Sequence, residues 1–451
     1  MKPGNLPEGA ATSLGSLADV LSSTKAAAFQ GRGRHRRHFL ACAASGLAAP
    51  LLLRGRPGRA DRALRIGHVS PQTGPLAAFG EADPFVLAQI ERELGDGIDT
   101  AKGHFAVEIL TRDSQSNPNR AAEVAAELIL DQEVDLLVAA STPDTVNPVA
   151  DQAEVNEVPC ITTDCPWQSY FFGRGGDRDQ GFAWTYHFFF GLDDAVRAFL
   201  ALWRDAPTNR RIGVVFPNDT DGNHAASREH GVIPVFERGG YEVVDPGRFT
   251  PFTDDFSAII AELKRADVDI INGVMVPSDF ATFWAQAGQQ ALRPKIATIG
   301  KALLFPSAVD AIGPRADGLS AEIWWSPHHP FRSGLTGESA GELAAAYQGA
   351  TGRPWTQPIG YKHALFEVAI DVLRRADDPT DRGAIMAAIQ ATAYDSVVGP
   401  IRWTSDPVPN VGLTPLVSGQ WRLTDRGFDL VVCQNETAPQ IPVQDRLRLL
   451  S

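Results

Sequence analysis

The chain has 451 residues, a length that allows two or three domains. Its 44% hydrophobic and 21% charged residues exclude wholesale disorder, a collagen-like fibre and a polytopic membrane protein. The formal charge of −13, from 41 Lys and Arg against 54 Asp and Glu, argues against a general nucleic-acid binder.

Residues 1–60 differ in charge from the rest of the chain: nine are Lys or Arg and two are Asp or Glu, whereas the remainder is strongly acidic. The run RRHFL at 36–40 precedes an apolar stretch, 41–53, that is shorter than the roughly 20 residues a bilayer span needs. This order resembles a twin-arginine signal, which passes exported proteins to the twin-arginine machinery. It predicts a periplasmic protein; the alternative is a basic amphipathic segment on a cytosolic protein.

Beyond the leader, the first predicted elements alternate between strands and helices. Strands are predicted over 65–69 and 105–110, with a helix through 85–90 between them. Asn117, a preferred N-cap followed by Pro118, begins an amphipathic helix whose apolar residues recur at helical spacing. The mostly apolar strand 134–140 that follows is typical of a parallel sheet covered on both faces.

The same order of elements recurs later in the chain. A strand is predicted over 211–216, then a helix capped by Thr253 or Asp254, then a strand over 268–276. Two such α/β halves predict an α/β fold with two Rossmann-like lobes. Ligands of open α/β sheets bind beyond the carboxyl ends of the strands, so two facing lobes would form a binding cleft.

Motifs for catalysis and metal binding are missing from the sequence. It has no Gly-x-Ser-x-Gly elbow, no zinc-binding spacing and no Gly-rich dinucleotide turn after the first strand. The pair His328–His329 favours a solvated loop over a metal site. We therefore predict no catalytic residue, metal or cofactor. Cys160 and Cys165 could form a disulfide in an oxidising periplasm, and the sequence leaves this open.

A family resemblance extends over about 63–425. The run IGHVSPQTGPLA at 66–77 resembles the opening of type I periplasmic binding proteins, above all the leucine/isoleucine/valine-binding branch that serves ABC importers. RDSQSNP at 112–118, VPCIT at 158–162 and VGPIRW at 398–403 continue the resemblance.

The resemblance implies two lobes that are joined by three hinge crossovers and close on a small ligand. The crossovers are expected near 186–192, 316–320 and 395–399. The implied organisation is a signal peptide at 1–60, lobe 1 at 63–188 plus 319–396, lobe 2 at 189–318 plus 397–435, and a C-terminal tail at 436–451.

The resemblance also implies where the ligand binds. In the family, hydroxyl groups of two strand-end loops in lobe 1 bind an amino acid, and here those loops supply Ser141, Thr142, Asp144, Thr145, Thr162 and Thr163. The family places a Tyr after the first strand of lobe 2 and a Glu near residue 300. This sequence has Asp221 and Lys301 in the corresponding segments, with no Glu beside Lys301.

Two aromatic residues, Trp167 and Trp325, are expected to line the cleft, because they fall near a strand-end loop and a crossover. If Lys301 points into the cleft, its ammonium favours a second negative group on the ligand or a ligand without an amine. Asp144, Asp164 and Asp221 are possible replacements for the family's acidic residue.

These features predict an exported solute-binding component of an ABC transporter. As a monomer, it would trap a small carboxylate-bearing ligand, a branched-chain amino acid or a related or aromatic acid, for delivery to an inner-membrane permease. Two alternatives remain: a secreted α/β hydrolase such as an amidase or esterase, and a ligand-sensing domain of the same fold.

Overall fold

A computed structural model describes residues 62–404 and 406–450. The predicted twin-arginine leader lies outside the described residues. Among those residues, no helix combines the length and apolar character that a membrane span requires.

Apolar segments bounded by turn residues form the strands, as the sequence predicted for the region around 134–140. The strands are β1 (Leu64–Ser70), β2 (Ile98–Thr100), β3 (Gly103–Phe105), β4 (Val107–Asp113), β5 (Leu136–Ala140), β6 (Cys160–Thr163), β7 (Thr185–Phe188), β8 (Arg211–Pro217), β9 (Glu242–Val244), β10 (Arg248–Phe249), β11 (Ile270–Met275), β12 (Ile296–Lys301), β13 (Ser320–Ile323), β14 (Ala393–Ser396), β15 (Gly399–Arg402), β16 (Val411–Gly412), β17 (Val417–Thr424) and β18 (Gly427–Gln434).

Helices connect most of these strands. They are α1 (Asp83–Leu94), α2 (Pro118–Leu130), α3 (Pro143–Val155), α4 (Trp167–Phe171), α5 (Leu192–Trp203), α6 (Thr220–Ala225), α7 (Ile233–Arg238), α8 (Ser257–Arg265), α9 (Pro277–Gln289), α10 (Pro306–Ile312), α11 (Ala340–Thr351), α12 (Pro358–Arg375) and α13 (Arg382–Gln390).

Two large sheets organise the chain. The first is parallel, in the order β16-β7-β6-β5-β1-β4. The second follows the order β10-β8-β11-β12-β13-β17-β18, with β9 also paired to β8. Its strands are parallel up to β13, and β17 and β18 join antiparallel. Each sheet is the centre of one lobe, which confirms the predicted two-lobed α/β fold.

The chain passes between the sheets three times. The first crossing, 189–191, joins β7 to α5 and falls inside the predicted 186–192. The second follows Ile323, because β13 still pairs with β12 in the second sheet. The third lies between β16, which pairs with β7, and β17, which pairs with β13. The second and third crossings therefore lie later than the expected 316–320 and 395–399.

The second and third crossings lie later than expected because of strand pairings that the local sequence pattern does not predict. Residues 393–402, expected to include a crossover, instead form the β14–β15 hairpin. The segment expected as a tail also packs onto lobe 2: Ala438 and Ile441 are buried in its core, and the Leu450 N–H donates to the Lys295 carbonyl at 2.8 Å.

Helix capping agrees with the sequence at one of the two predicted positions. The Asn117 side chain accepts hydrogen bonds from the Asn119 and Arg120 N–H groups, which confirms it as the cap of α2. The later helix, α8, begins after Phe256 rather than at Thr253 or Asp254. Cys160 and Cys165 are free and buried, so they form no disulfide in this structure.

Candidate functional site

A cavity lies between the lobes at the carboxyl ends of both sheets. Its volume is about 60 Å³, and a single water molecule needs roughly 10–15 Å³. Its lining consists of Phe79, Thr142, Asp164, Pro166, Phe189, Phe190, Leu192, Ala195, Phe199, Asp221, Val232, Asn272, Gly273, Val274, Gly300, Lys301, Leu304, Glu322 and Trp324. The lining is thus a mostly apolar wall that includes four charged residues.

The two lobes touch each other around this cavity. The Thr220 hydroxyl of lobe 2 donates a 2.6 Å hydrogen bond to Asp144 Oδ1 of lobe 1. Nearby, the rings of Phe172 and His230 lie 4.5 Å apart between their centroids. Direct contacts between the lobes are what encloses the cavity.

The crossings supply aromatic walls. Phe189 and Trp324, on the first and second crossings, pack edge to face at 5.0 Å and both line the cavity. Trp325, which the sequence placed in the cleft, is instead buried outside the lining, and its Nε1 donates to the Val397 carbonyl. Successive side chains of an extended segment point to opposite sides, so its neighbour Trp324 takes the expected place.

Trp167 is also outside the cavity lining. It is buried, and its backbone N–H donates to the Phe190 carbonyl on the first crossing at 3.2 Å. Gly191 lies against its indole, because a Cβ there would come within 2.2 Å of Trp167 Nε1. Trp167 therefore supports the crossing from behind.

The predicted hydroxyl groups divide into two sets. Thr142 lines the cavity, and the hydroxyls of Ser141 and Thr142 have no hydrogen-bond partner among the described residues. The other three serve the protein backbone or a buried ring: Thr145 donates to the Thr142 carbonyl, Thr163 donates to the Phe188 carbonyl, and Thr162 bonds to His187 Nδ1. Of the five predicted hydroxyl residues, Thr142 alone lines the cavity.

Lys301 points into the cleft and is already paired. Its Nζ lies 2.6 Å from Asp221 Oδ2 and 3.6 Å from Asp219 Oδ2. Burial lowers the pKa of Lys301, but the carboxylates of Asp219, Asp221 and Asp144 outweigh burial and raise it above its ordinary value. Lys301 also has a φ of 64°, a backbone conformation that side-chain-bearing residues seldom adopt.

Two carboxyl groups in the lining lack full sets of partners. Asp164 follows β6, and neither of its oxygens accepts a hydrogen bond within the described part of the chain. Glu322 on β13 accepts from the Lys301 N–H at 3.3 Å through Oε1, while Oε2 has no partner among the described residues. Burial raises the pKa of each carboxyl group to about 7.

Glu322 is the charged residue of the lining that the sequence did not predict. The family pattern places a Glu near residue 300, where this sequence has Lys301 and no Glu. Glu322 instead approaches Gly300 from the neighbouring strand, 3.2 Å from where a Cβ would stand. The available signal was one acidic residue in the otherwise apolar strand SAEI, directly before a crossing.

A second buried cation lies behind Asp164. The Lys362 ammonium contacts Asp83 Oδ1 at 3.1 Å and donates to the Ala140 carbonyl and the Ser70 hydroxyl. His68 lies in the same cluster, where burial lowers its pKa to about 4. No group of metal-binding side chains with the geometry for an ion occurs in the described residues.

Two α/β lobes, three crossings and a cavity enclosed at the strand ends define a two-lobed protein of the kind that binds solutes. The family model "Periplasmic binding protein" matches residues 63–415, so the chain belongs to this family. The match confirms the resemblance found in the sequence.

Solved structures of this fold resemble the chain at low sequence identity. A leucine-binding protein from Thermotoga maritima has a TM-score of 0.69 at 19% identity, covering 83% of this chain and 99% of its own. A solute-binding protein from Rhodopseudomonas palustris, in complex with 3,4-dihydroxybenzoic acid, has 0.67 at 16%, covering 85% and 98%. A Streptococcus pneumoniae branched-chain amino acid transporter protein in complex with isoleucine has 0.65 at 16%, covering 82% and 100%.

Proposed function

We propose that the chain is the exported solute-binding component of an ABC importer. It closes two lobes around a small solute and carries it, as a monomer, to an inner-membrane permease. The observation that carries this proposal is the cavity enclosed between the lobes, with apolar walls and charged groups supplied from both sides.

The ligand class proposed from the sequence is a small carboxylate-bearing solute. Within it, an α-amino acid with a branched or aromatic side chain suits the cavity better than a simple acid. Phe79, Phe189 and Trp324 supply apolar surface, and the free Thr142 hydroxyl can bond to a carboxylate. Asp164 and Glu322 offer negative charge to an ammonium, which needs a partner when it leaves water.

The test is a thermal-shift screen of amino acids, their 2-oxo acids and benzoates on the mature chain. A ligand at 100 times its dissociation constant adds about 2.7 kcal/mol of stability, and hinge closure should reduce the radius of gyration and alter tryptophan fluorescence. Binding without closure would contradict the proposal. Chemical turnover of the bound compound would instead favour the hydrolase alternative.

We also propose that residues 1–60 direct export through the twin-arginine route. Replacing Arg36 and Arg37 by Lys should leave the precursor in the cytoplasm, because the machinery reads that pair. Unchanged recovery from the periplasm would refute this route without affecting the ligand-binding proposal.

A further inference from the structure

The charged groups of the cavity indicate which chemical group of the solute the protein recognises. Building on the proposed function, we infer that the solute is recognised chiefly through a positively charged amine bound by Asp164, and that a ligand carboxylate contributes little. Asp164 is therefore the residue that determines specificity, and the site takes apolar amines as well as apolar amino acids.

Acidic side chains outnumber basic ones in the cavity and among the groups behind it, even when Asp164 and Glu322, whose pKa burial raises to about 7, carry a proton. Two ammonium groups, Lys301 and Lys362, are accompanied by six carboxyl groups. These are Asp83, Asp144, Asp164, Asp219, Asp221 and Glu322. Because neighbouring charges interact strongly away from bulk water, such a cavity favours a cationic solute over an anionic one.

Two positions that would otherwise attract a ligand carboxylate, the N-terminus of α3 and the Lys301 ammonium, are occupied by carboxylates of the protein. Asp144 lies in the first turn of α3, where the helix end favours negative charge, and it accepts from Thr220. The Lys301 ammonium is paired with Asp221 and Asp219. A ligand carboxylate would have to lie beside these acids, which costs free energy.

Asp164, in contrast, accepts no hydrogen bond from any residue that the structure describes. The Lys362 ammonium lowers the pKa of Asp164, but by less than burial raises it. An ammonium has three N–H donors. Lys362 donates to the Ala140 carbonyl and the Ser70 hydroxyl, and it forms an ion pair with Asp83 Oδ1 at 3.1 Å. Asp164 thus lines the cavity with two buried oxygens that have no hydrogen-bond partner in the described part of the chain.

Asp164 has an unusual backbone conformation. Its φ is 76°, in the left-handed region that non-glycine residues seldom occupy and that is often retained at functional sites. Glu322, from the opposite lobe, brings a second incompletely partnered carboxyl group to the same cavity. Closure therefore places an amine between acids of both lobes.

The remaining lining defines the uncharged part of the solute. Phenylalanine and tryptophan rings, with Leu192, Val232 and Leu304, surround a small volume. A primary amine with a branched aliphatic or single-ring body matches this combination of an acidic end and apolar walls.

Titration of two matched series tests the inference. The first is leucine, 3-methylbutylamine and 4-methyl-2-oxopentanoate; the second is phenylalanine, 2-phenylethylamine and phenylpyruvate. In each series the amino acid and the amine should bind within about tenfold of each other, and the oxo acid about 100-fold more weakly, the loss expected for an unmet buried charge.

Asp164→Asn should weaken binding of both amines about 100-fold and narrow their advantage over the oxo acids. Glu157→Gln is the matched control: it removes the same charge from an exposed residue that also has a positive φ, 53°, and should change nothing. Thermal melting of both variants shows whether they are folded.

Oxo acids that bind as tightly as the amines would overturn the inference, as would amine binding that survives Asp164→Asn or is absent in the native protein. Tight, closing binding of an oxo acid or benzoate would still support the proposed function. Failure of every solute in the wider screen to bind would count against that function itself.

Discussion

Burial of the Asp164 carboxyl group lowers the stability of the ligand-free protein, an effect that can be measured separately from ligand binding. Burial raises its pKa from 3.8 to about 7, so between these values the folded protein binds a proton that the unfolded chain has released. Stability therefore falls as pH rises through this window and is lowest above it.

Asp164→Asn should consequently make the ligand-free protein more stable at pH 8, by up to about 4 kcal/mol. This gain in stability should shrink as pH falls from 7 toward 4, because the Asp164 carboxyl group of the native protein is then protonated and as uncharged as the Asn that replaces it. Urea unfolding at several pH values measures this, with Glu157→Gln as control. Equal destabilisation by Asp164→Asn at pH 8 and pH 5 would show that the carboxyl group has partners.

Individual side chains of the site were predictable only in part. The sequence indicated that Thr142, Asp221 and Lys301 belong to the cleft, and the cavity contains all three. It could not show that Asp221 neutralises Lys301, because that pairing depends on how two strand ends lie side by side. Glu322 reaches the site for the same reason, through the neighbouring strand.

Among the elements, α6 depends on a glycine. Asp219 caps this helix by accepting from the Gly222 N–H at 2.8 Å. A Cβ on Gly222 would stand 2.0 Å from the Pro217 carbonyl oxygen, a backbone atom that cannot swing away. Only glycine allows α6 to start this close to the end of β8, where it holds Asp219 and Asp221 against Lys301.

Gly222→Ala should therefore displace α6, lowering stability by about 2 kcal/mol and weakening ligand affinity. Gly349→Ala is the matched control, because it lies inside α11 with open space around its Cβ position. It should raise stability by up to about 1 kcal/mol. Chemical unfolding and titration of both variants give the comparison; unchanged affinity in Gly222→Ala would separate α6 from the site.

Helices and strands were predictable where a single hydrophobic pattern dominates the segment. The apolar spacing in α2 and the continuous apolar run of β5 match the structure closely. The late crossings were not predictable, because antiparallel β17 and the β14–β15 hairpin interrupt the strand–helix alternation. β13, which pairs with β17, is distant from it in sequence, and local pattern carries no information about that pairing. The β14–β15 hairpin is local, but it occupies a segment that the sequence assigned to a crossover.

In the whole molecule, contact between the lobes and occupation of the cavity are linked. Thr220 of lobe 2 donates to Asp144 of lobe 1, and Asp144 also acts on Lys301 in the cavity. The lobes therefore meet through a residue that belongs to the charged network of the site. Any change at this contact should alter the balance between open and closed forms, since ligand binds the closed form better.

Thr220→Val keeps the side-chain shape and removes the donor. Hydrogen bonds to charged groups contribute about 1.5–3 kcal/mol, so affinity should fall at least about tenfold. The ligand-free radius of gyration should rise, whereas the saturated protein should remain as compact as the native one. Thr424→Val should change neither quantity, because that hydroxyl donates to the Gly427 carbonyl and accepts from the Arg426 N–H within its own hairpin. Suppose that Thr220→Val lost affinity while the radii of gyration of the ligand-free and saturated protein stayed unchanged. Thr220 would then act on the ligand itself, and the inferred coupling between lobe contact and binding would be refuted.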